Sequence, residues 1–296
     1  MGRPRKYQIV NLALLERLVE GKRETSSEAT VKGYRALLSQ LRAFLGTDYV
    51  TRVIDATACR EFAAFLASRL KPSSCRTYLQ QLSTLLSEAE VSGLIVRSPM
   101  SLAAGILPRH RQIEKVFLTK PELVRLRNTP CPHASTRDAF LFACYTGLML
   151  TDIETLRWDN ILFDNGQWVL VKSLDKSGTE ARVPLVRSSR ELLAHLRDEY
   201  QTLPTEERDG HVFRLLSRSA IGEDLALWSR NAGFDKPLSF IVARHTFGTL
   251  SIASGVDLYT LSRWLGHSSL ATAKAYADML RAVRQSDTEA LEAALA

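Results

Sequence analysis

The chain has 296 residues, 45% of them hydrophobic and 24% charged, which fits a globular protein of about two domains and excludes a disordered or fibrous one. No apolar run approaches the roughly 18 residues of a membrane span. The basic opening MGRPRKYQIV lacks the apolar stretch and small-residue cleavage site of a secretory leader, so the expected compartment is the cytoplasm.

The first part of the chain reads as helical throughout. Ser26 and Ser27 are candidate caps for a helix whose apolar positions recur at Val31, Tyr34, Leu37, Leu38, Leu41, Phe44 and Leu45, with Gly46 as its stop. A second helix fits 58–70, with Phe62, Phe65 and Leu66 facing inward. A third follows Lys71-Pro72, where proline suits a first turn, and carries Tyr78, Leu79, Leu82, Leu85 and Leu86. Short helices joined by short loops predict a small bundle.

Residues 97–115, with two prolines, a glycine and a basic cluster, read as a linker. The predicted domains are therefore 1–110 and 111–296. Beyond the linker, Thr119-Lys120-Pro121-Glu122 is a capping signature. An apolar helix is predicted over 137–145, then two strands, 167–172 and 181–186, joined by a turn containing Ser177-Gly178. Further helices are predicted over 219–232 (stopped by Gly233), 240–254, 258–265 and 270–280. The fold class is mostly α, an N-terminal helical bundle followed by an α+β domain with a small antiparallel sheet.

Charge is unevenly spread. Residues 1–115 carry 18 Lys and Arg against 10 Asp and Glu, a net of +8, whereas 116–296 carry 21 against 22, a net of −1. A localised positive field suits a polyanion such as DNA, and equally suits a well-solvated surface. Lys32, Arg35 and Arg76 are the candidate DNA contacts, with Arg42, Arg69 and Lys71 as further basic positions of the bundle. Cys59, Cys75, Cys131 and Cys144 form no CxxC pair, the pattern of free thiols in a reducing compartment and not of a zinc or disulfide framework. No metal and no cofactor is expected.

The most specific stretch is 238–280. It contains Arg244-His245-Thr246-Phe247, Gly255-Val256-Asp257, Leu265-Gly266-His267 and Tyr276. An earlier segment, 146–161, contains Thr146-Gly147-Leu148, Leu156 and Trp158, and the bundle contains Thr30-Val31-Lys32-Gly33-Tyr34. Together these resemble the tyrosine recombinase, or phage integrase, family over nearly the whole chain, most closely its Xer-like and conjugative-element members.

The resemblance implies a SAM-like core-binding domain followed by a catalytic recombinase domain. It implies site-specific DNA recombination or integration without metal or ATP, as in phages and other mobile elements. Tyr276 would attack the scissile phosphate to form a 3′-phosphotyrosyl link, Arg244 would clamp the phosphate oxygens, and His267 would support the phosphate and the tyrosine oxygen. Lys176 matches the lysine that protonates the leaving 5′-oxygen, although a lysine in a turn is ordinarily just solvated. The implied partners are double-stranded recombination sites and further copies of the chain, a dimer on one site and a tetramer in synapsis. A second recombinase or DNA-bending accessory proteins are further possible partners. The tail 286–296 would pack on a neighbouring copy or fold back on its own domain.

The sequence departs from the family at two positions. Met149 stands where an arginine is expected, and Ile241 where a histidine is expected. The alternative reading is therefore a pseudo-recombinase that binds recombination sites as an accessory or regulatory protein. A helical regulator unrelated to recombination and a type IB topoisomerase are the remaining alternatives. Asp152 matches an acidic family position and also suits a first-turn helix acid, with Thr151 and Glu154 expected to form a capping box. His245 reads as a structural hydrogen-bonder.

Overall fold

A computed structural model describes residues 9–48, 52–103, 105–108, 115–175, 178–267 and 274–280. The chain divides into two compact units, residues 1–112 and 113–296.

The first unit is all helical. Helix α1 (Leu12–Gly21) is capped by the Asn11 side chain, and α2 (Glu28–Leu45) by Ser27, whose hydroxyl accepts from the Thr30 N–H. Helix α2 ends at Gly46, at φ 64°. Helix α3 (Ala56–Ala67) begins two residues before its predicted start because Asp55 caps it, accepting from the Ala58 N–H at 2.8 Å. Helix α4 (Pro72–Val91) opens on its proline, and the short α5 (Pro99–Leu102) follows. The core gathers Leu15, Leu37, Leu41, Phe62, Leu66, Leu79, Leu82 and Leu85, all buried, with Phe44 lying against the Phe62 ring at 5.4 Å between centroids. Helix α1 was not among the predicted elements.

The second unit opens with α6 (Lys120–Arg127). Its capping box is complete: the Thr119 hydroxyl accepts from the Glu122 N–H, and the Glu122 carboxylate accepts from the Thr119 N–H at 2.8 Å. Helix α7 (Ala134–Thr146) is buried on nearly every face and forms the centre of the unit, with α11 (Phe240–Ala253) packed along it. The rings of Phe140, Trp228 and Phe240 meet edge to face at 5.7 and 5.9 Å, joining α7 to α10 (Arg218–Asn231) and α11. The segment before α6 is tied to α11 through Thr246, whose hydroxyl accepts from the Leu118 N–H and donates to the Val242 carbonyl, both at 2.8 Å.

The sheet is an antiparallel meander in the order β1 (Ile161–Asp164), β2 (Gln167–Ser173), β3 (Glu180–Pro184), with Leu170 opposite Ile161 on one side and Val183 on the other. The β1–β2 turn places Asn165 at φ 48° and Gly166 at φ 80°, the left-handed pair that two-residue hairpins favour. Strand β1 was not predicted, and neither was α9 (Arg187–Thr202). Helix α12 (Leu258–Trp264) is capped by Asp257, and residues 274–280 are again helical.

The short helix α8 (Leu150–Glu154) corrects one expectation. Thr151 lies inside it and caps nothing. The cap is made by Asp152, whose carboxyl group accepts from the Met149 N–H at 3.2 Å. Glu154 is instead bound by the Arg218 guanidinium at 2.8 and 2.6 Å. Among the described residues no helix is long and apolar enough to cross a membrane, and no cluster of His, Cys, Asp and Glu could hold a metal ion. The four cysteines are free, and burial pushes the Cys59 thiol up to about 12, which keeps it from acting as a nucleophile.

Candidate active site

The site is built where α7 ends. Gly147 takes the left-handed conformation, φ 75°, that closes the helix, and its N–H returns to the Ala143 carbonyl at 2.8 Å. This turn aims the Gly147 carbonyl at α11, where Arg244 Nη1 donates to it at 2.9 Å. Arg244 Nη2 donates to the Leu265 carbonyl at 2.7 Å and to His267 Nε2 at 3.0 Å. The arginine is only 9% exposed, and no carboxylate among the described residues forms an ion pair with it. Its acceptors are all neutral, so its positive charge remains available to an anion.

His267 follows directly from α12, and its N–H is held by the Ser262 carbonyl at 2.9 Å. Because Nε2 accepts from Arg244, the neutral ring carries its proton on Nδ1, which is buried without a partner. Burial first, and the Arg244 charge second, lower the His267 pKa to about 4, so the ring is neutral at pH 7.

The 274–280 helix brings in Tyr276, which is 3% exposed. Its ring lies parallel to His267, 6.1 Å between centroids and 9° between planes, and edge-on to His245 at 5.7 Å. Burial raises the Tyr276 pKa, while the charge of Arg244 and a hydrogen bond with it act in the opposite direction. Three of the four predicted catalytic residues, Tyr276, Arg244 and His267, are thus gathered in one place, separated in sequence by up to 32 positions. Lys176 lies outside the described residues, as does the tail 286–296.

Met149 and Ile241 sit differently from one another. Met149 is the half-buried cap residue of α8, two positions beyond the carbonyl that binds Arg244. Ile241 is 45% exposed on the first turn of α11. Asp152, 2% exposed, takes the Asp175 N–H at 2.9 Å with one oxygen and the Met149 N–H with the other. It therefore joins the start of α8 to the turn that leads into Lys176.

Of the candidate DNA contacts, Lys32 and Arg35 are exposed one helical turn apart on α2, without an ion pair among the described residues. Arg76 is committed inside its own unit, with Nη1 donating to the Pro108 carbonyl at 2.6 Å. Arg42 pairs with Glu16, and Arg69 lies over the Phe65 ring at 5.0 Å.

For Gly147 and His245 the sequence does not reveal their place at the site. The Gly147 carbonyl was hidden because it is backbone. His245, expected to form a structural hydrogen bond, has its Nδ1 buried without a partner; burial, then the charges of Lys115 and Arg244, lower its pKa to about 4.

A helical domain followed by an α+β domain that gathers an arginine, a histidine and a tyrosine defines a class that comparison with known proteins identifies. The profile of the phage integrase family matches residues 116–282, and that of the phage integrase SAM-like domain matches residues 12–106. The chain belongs to the phage integrase family of tyrosine recombinases.

Among curated relatives, it is 29% identical over 280 residues to tyrosine recombinase XerC of Neisseria meningitidis, covering 89% of this chain and 88% of that one. It is 23% identical over 267 residues to tyrosine recombinase XerD of Listeria innocua, covering 84% and 88%. The fold matches XerH site-specific recombinase bound to its palindromic difH substrate, with a TM-score of 0.72 at 17% identity over 95% of this chain and 85% of that one. It also matches a lambda integrase tetramer bound to a Holliday junction, with a TM-score of 0.73 at 16% identity over 91% and 78%.

Proposed function

We propose that this protein cuts and rejoins double-stranded DNA at specific sites, with Tyr276 as the nucleophile. The observation that carries this is the convergence of Tyr276, Arg244 and His267 around one guanidinium that no carboxylate neutralises among the described residues. The Tyr276 oxygen attacks the scissile phosphorus and gives its proton to water as the new P–O bond forms. The bond to the 5′-oxygen breaks, and that oxygen leaves as a hydroxyl once protonated, a task assigned to Lys176. Negative charge grows on the non-bridging oxygens, where Arg244 stabilises it through its planar fork. The 3′-phosphotyrosyl product retains the energy of the phosphodiester, so attack by a second strand's 5′-hydroxyl reseals the backbone without metal or ATP.

Lys32 and Arg35 are assigned to phosphate contacts of the DNA-binding domain. The protein is assigned to the cytoplasm, with the assembled form a dimer on one site and a tetramer in synapsis. Partner recombinases and DNA-bending proteins belong to the same proposal.

A second reading rests on Met149 and Ile241. Neither side chain can donate a hydrogen bond, and loss of one preorganised donor costs on the order of 10²–10³ in rate. On that reading the protein binds recombination sites and leaves strand cleavage to a partner.

One experiment separates the two. Nicked duplexes tiled across the DNA flanking the gene are incubated with the protein and resolved in denaturing detergent. A covalent protein–DNA adduct that disappears in Tyr276→Phe, with DNA binding intact, is expected. Specific binding with no adduct selects the accessory role, and an adduct surviving Tyr276→Phe removes Tyr276 from the mechanism.

A further inference from the structure

The Tyr276 ring has an unusual floor. A Cβ built on Gly248, in the middle of α11, would lie 2.7 Å from Tyr276 Cδ1 and 2.8 Å from both Cε1 and Cγ. Carbon atoms rest at about 3.5–4.0 Å, so any side chain at 248 displaces the whole ring and not merely its tip. Gly248 is buried within a regular helix, where glycine is the poorer choice on backbone grounds. No positive φ is recorded at 248 to require it.

The same face of α11 carries the rest of the seat. His245 meets the ring edge-on one turn earlier, and Thr249 reaches Met279 Sδ at 4.0 Å, one turn beyond Tyr276 on its own helix. Burial raises the phenol pKa, and Arg244, the neighbour of His245, opposes that rise with its charge and a hydrogen bond.

From this close approach we infer that Gly248 is a positioning residue for the nucleophile: the missing side chain creates the seat that holds Tyr276 beside Arg244 and His267. The inference rests on the assignment of Tyr276 as nucleophile, but its geometry can be tested without it.

The discriminating variant is Gly248→Ala. If Gly248 merely fills space, alanine strengthens α11, the melting temperature rises, and Tyr276 behaves as before. If it seats the ring, adduct formation on the nicked duplexes falls at least tenfold while DNA affinity stays within about twofold. At the same time, Tyr276 becomes several-fold more reactive toward tetranitromethane, read by peptide mass spectrometry. Adduct formation at the original rate with Tyr276 still protected overturns the inference, as does lost activity with Tyr276 still protected.

Should the wild-type protein form no adduct, the recombinase reading fails, and nitration alone decides the seat: exposure of Tyr276 in Gly248→Ala sustains it and continued protection refutes it. Should Gly248→Ala be too unstable to assay, it is combined with Tyr276→Ala. Recovery of the melting temperature in the double variant shows that the ring was the obstacle, and no recovery overturns the proposal.

Discussion

Gly147→Ala tests whether the carbonyl that holds Arg244 depends on a residue without a side chain. Two costs add at this position. Holding alanine at φ 75° costs roughly 1–2 kcal/mol relative to the right-handed region. The new methyl would also lie 2.4 Å from Leu265 Cδ2 and 2.6 Å from Phe247 Cδ1, both on buried side chains, and overpacking of this kind costs typically 1–3 kcal/mol. Loss of unfolded-chain entropy returns about 0.4–1 kcal/mol, leaving a net loss of about 1–4.6 kcal/mol.

Gly166→Ala is the control, because Gly166 has a similar φ of 80° with nothing within 4 Å of the added carbon. It carries the backbone cost alone. Urea denaturation followed by circular dichroism gives both values, and their difference isolates the packing cost at about 1–3 kcal/mol. A Gly147→Ala protein no less stable than Gly166→Ala refutes the reasoning: Leu265 and Phe247 would have yielded freely, and the placement of the carbonyl on Arg244 would not depend on the glycine.

Four further outcomes follow from the geometry. The pKa values of His245 and His267, lowered to about 4 from 6.5, mean that the unfolded chain binds more protons between those values. Stability is therefore fully present above pH 6.5 and falls as pH drops toward 4. The urea midpoint should decline from pH 7 to pH 5, and less so in His245→Gln; equal declines would exclude His245 as a contributor. Asp152→Ala removes acceptors from the Met149 and Asp175 N–H groups and should cost about 2–4 kcal/mol, measured by urea denaturation. Lys32→Ala and Arg35→Ala should each reduce the slope of log affinity against log salt by about 1 in DNA titrations, with folding unchanged. Arg76→Ala should instead lower the stability of the helical unit, since its guanidinium holds the Pro108 carbonyl.

What the sequence made legible was local or spaced like known motifs. Caps at Ser27 and Thr119, the proline opening α4 and the glycine closing α2 all act within four residues, and each was readable directly. Strand β1 was not, because its four residues are half-buried or exposed without clean alternation. Helix α9 lacks a side-chain cap to mark its start, whereas α1 carried a readable signal in Asn11 followed by Leu12, Leu15 and Val19. At α8 the cap lies two residues before Thr151, at Met149 with Asp152 three positions on, and Glu154 is drawn away by Arg218, a contact spanning 64 positions. Arg244, His267 and Tyr276 were legible as candidates through the resemblance to the family, and the structure brings the three together. Gly248 was not, because its contact is with a ring 28 positions away and no local pattern announces it.

The neutral surroundings of Arg244 have a thermodynamic consequence for the folded chain as a whole. A guanidinium that is 9% exposed, with carbonyl and imidazole partners, raises the free energy of the empty fold relative to one with an anion in place. Where an anion binds there, folding and binding are linked equilibria. Whatever phosphate-like group occupies the site stabilises the native state by RT ln(1 + [L]/Kd), and the unfolded chain cannot share that gain. The melting temperature is then expected to rise with anion concentration. The part of that rise lost in Arg244→Ala measures the affinity of the Arg244 site without any cleavage taking place.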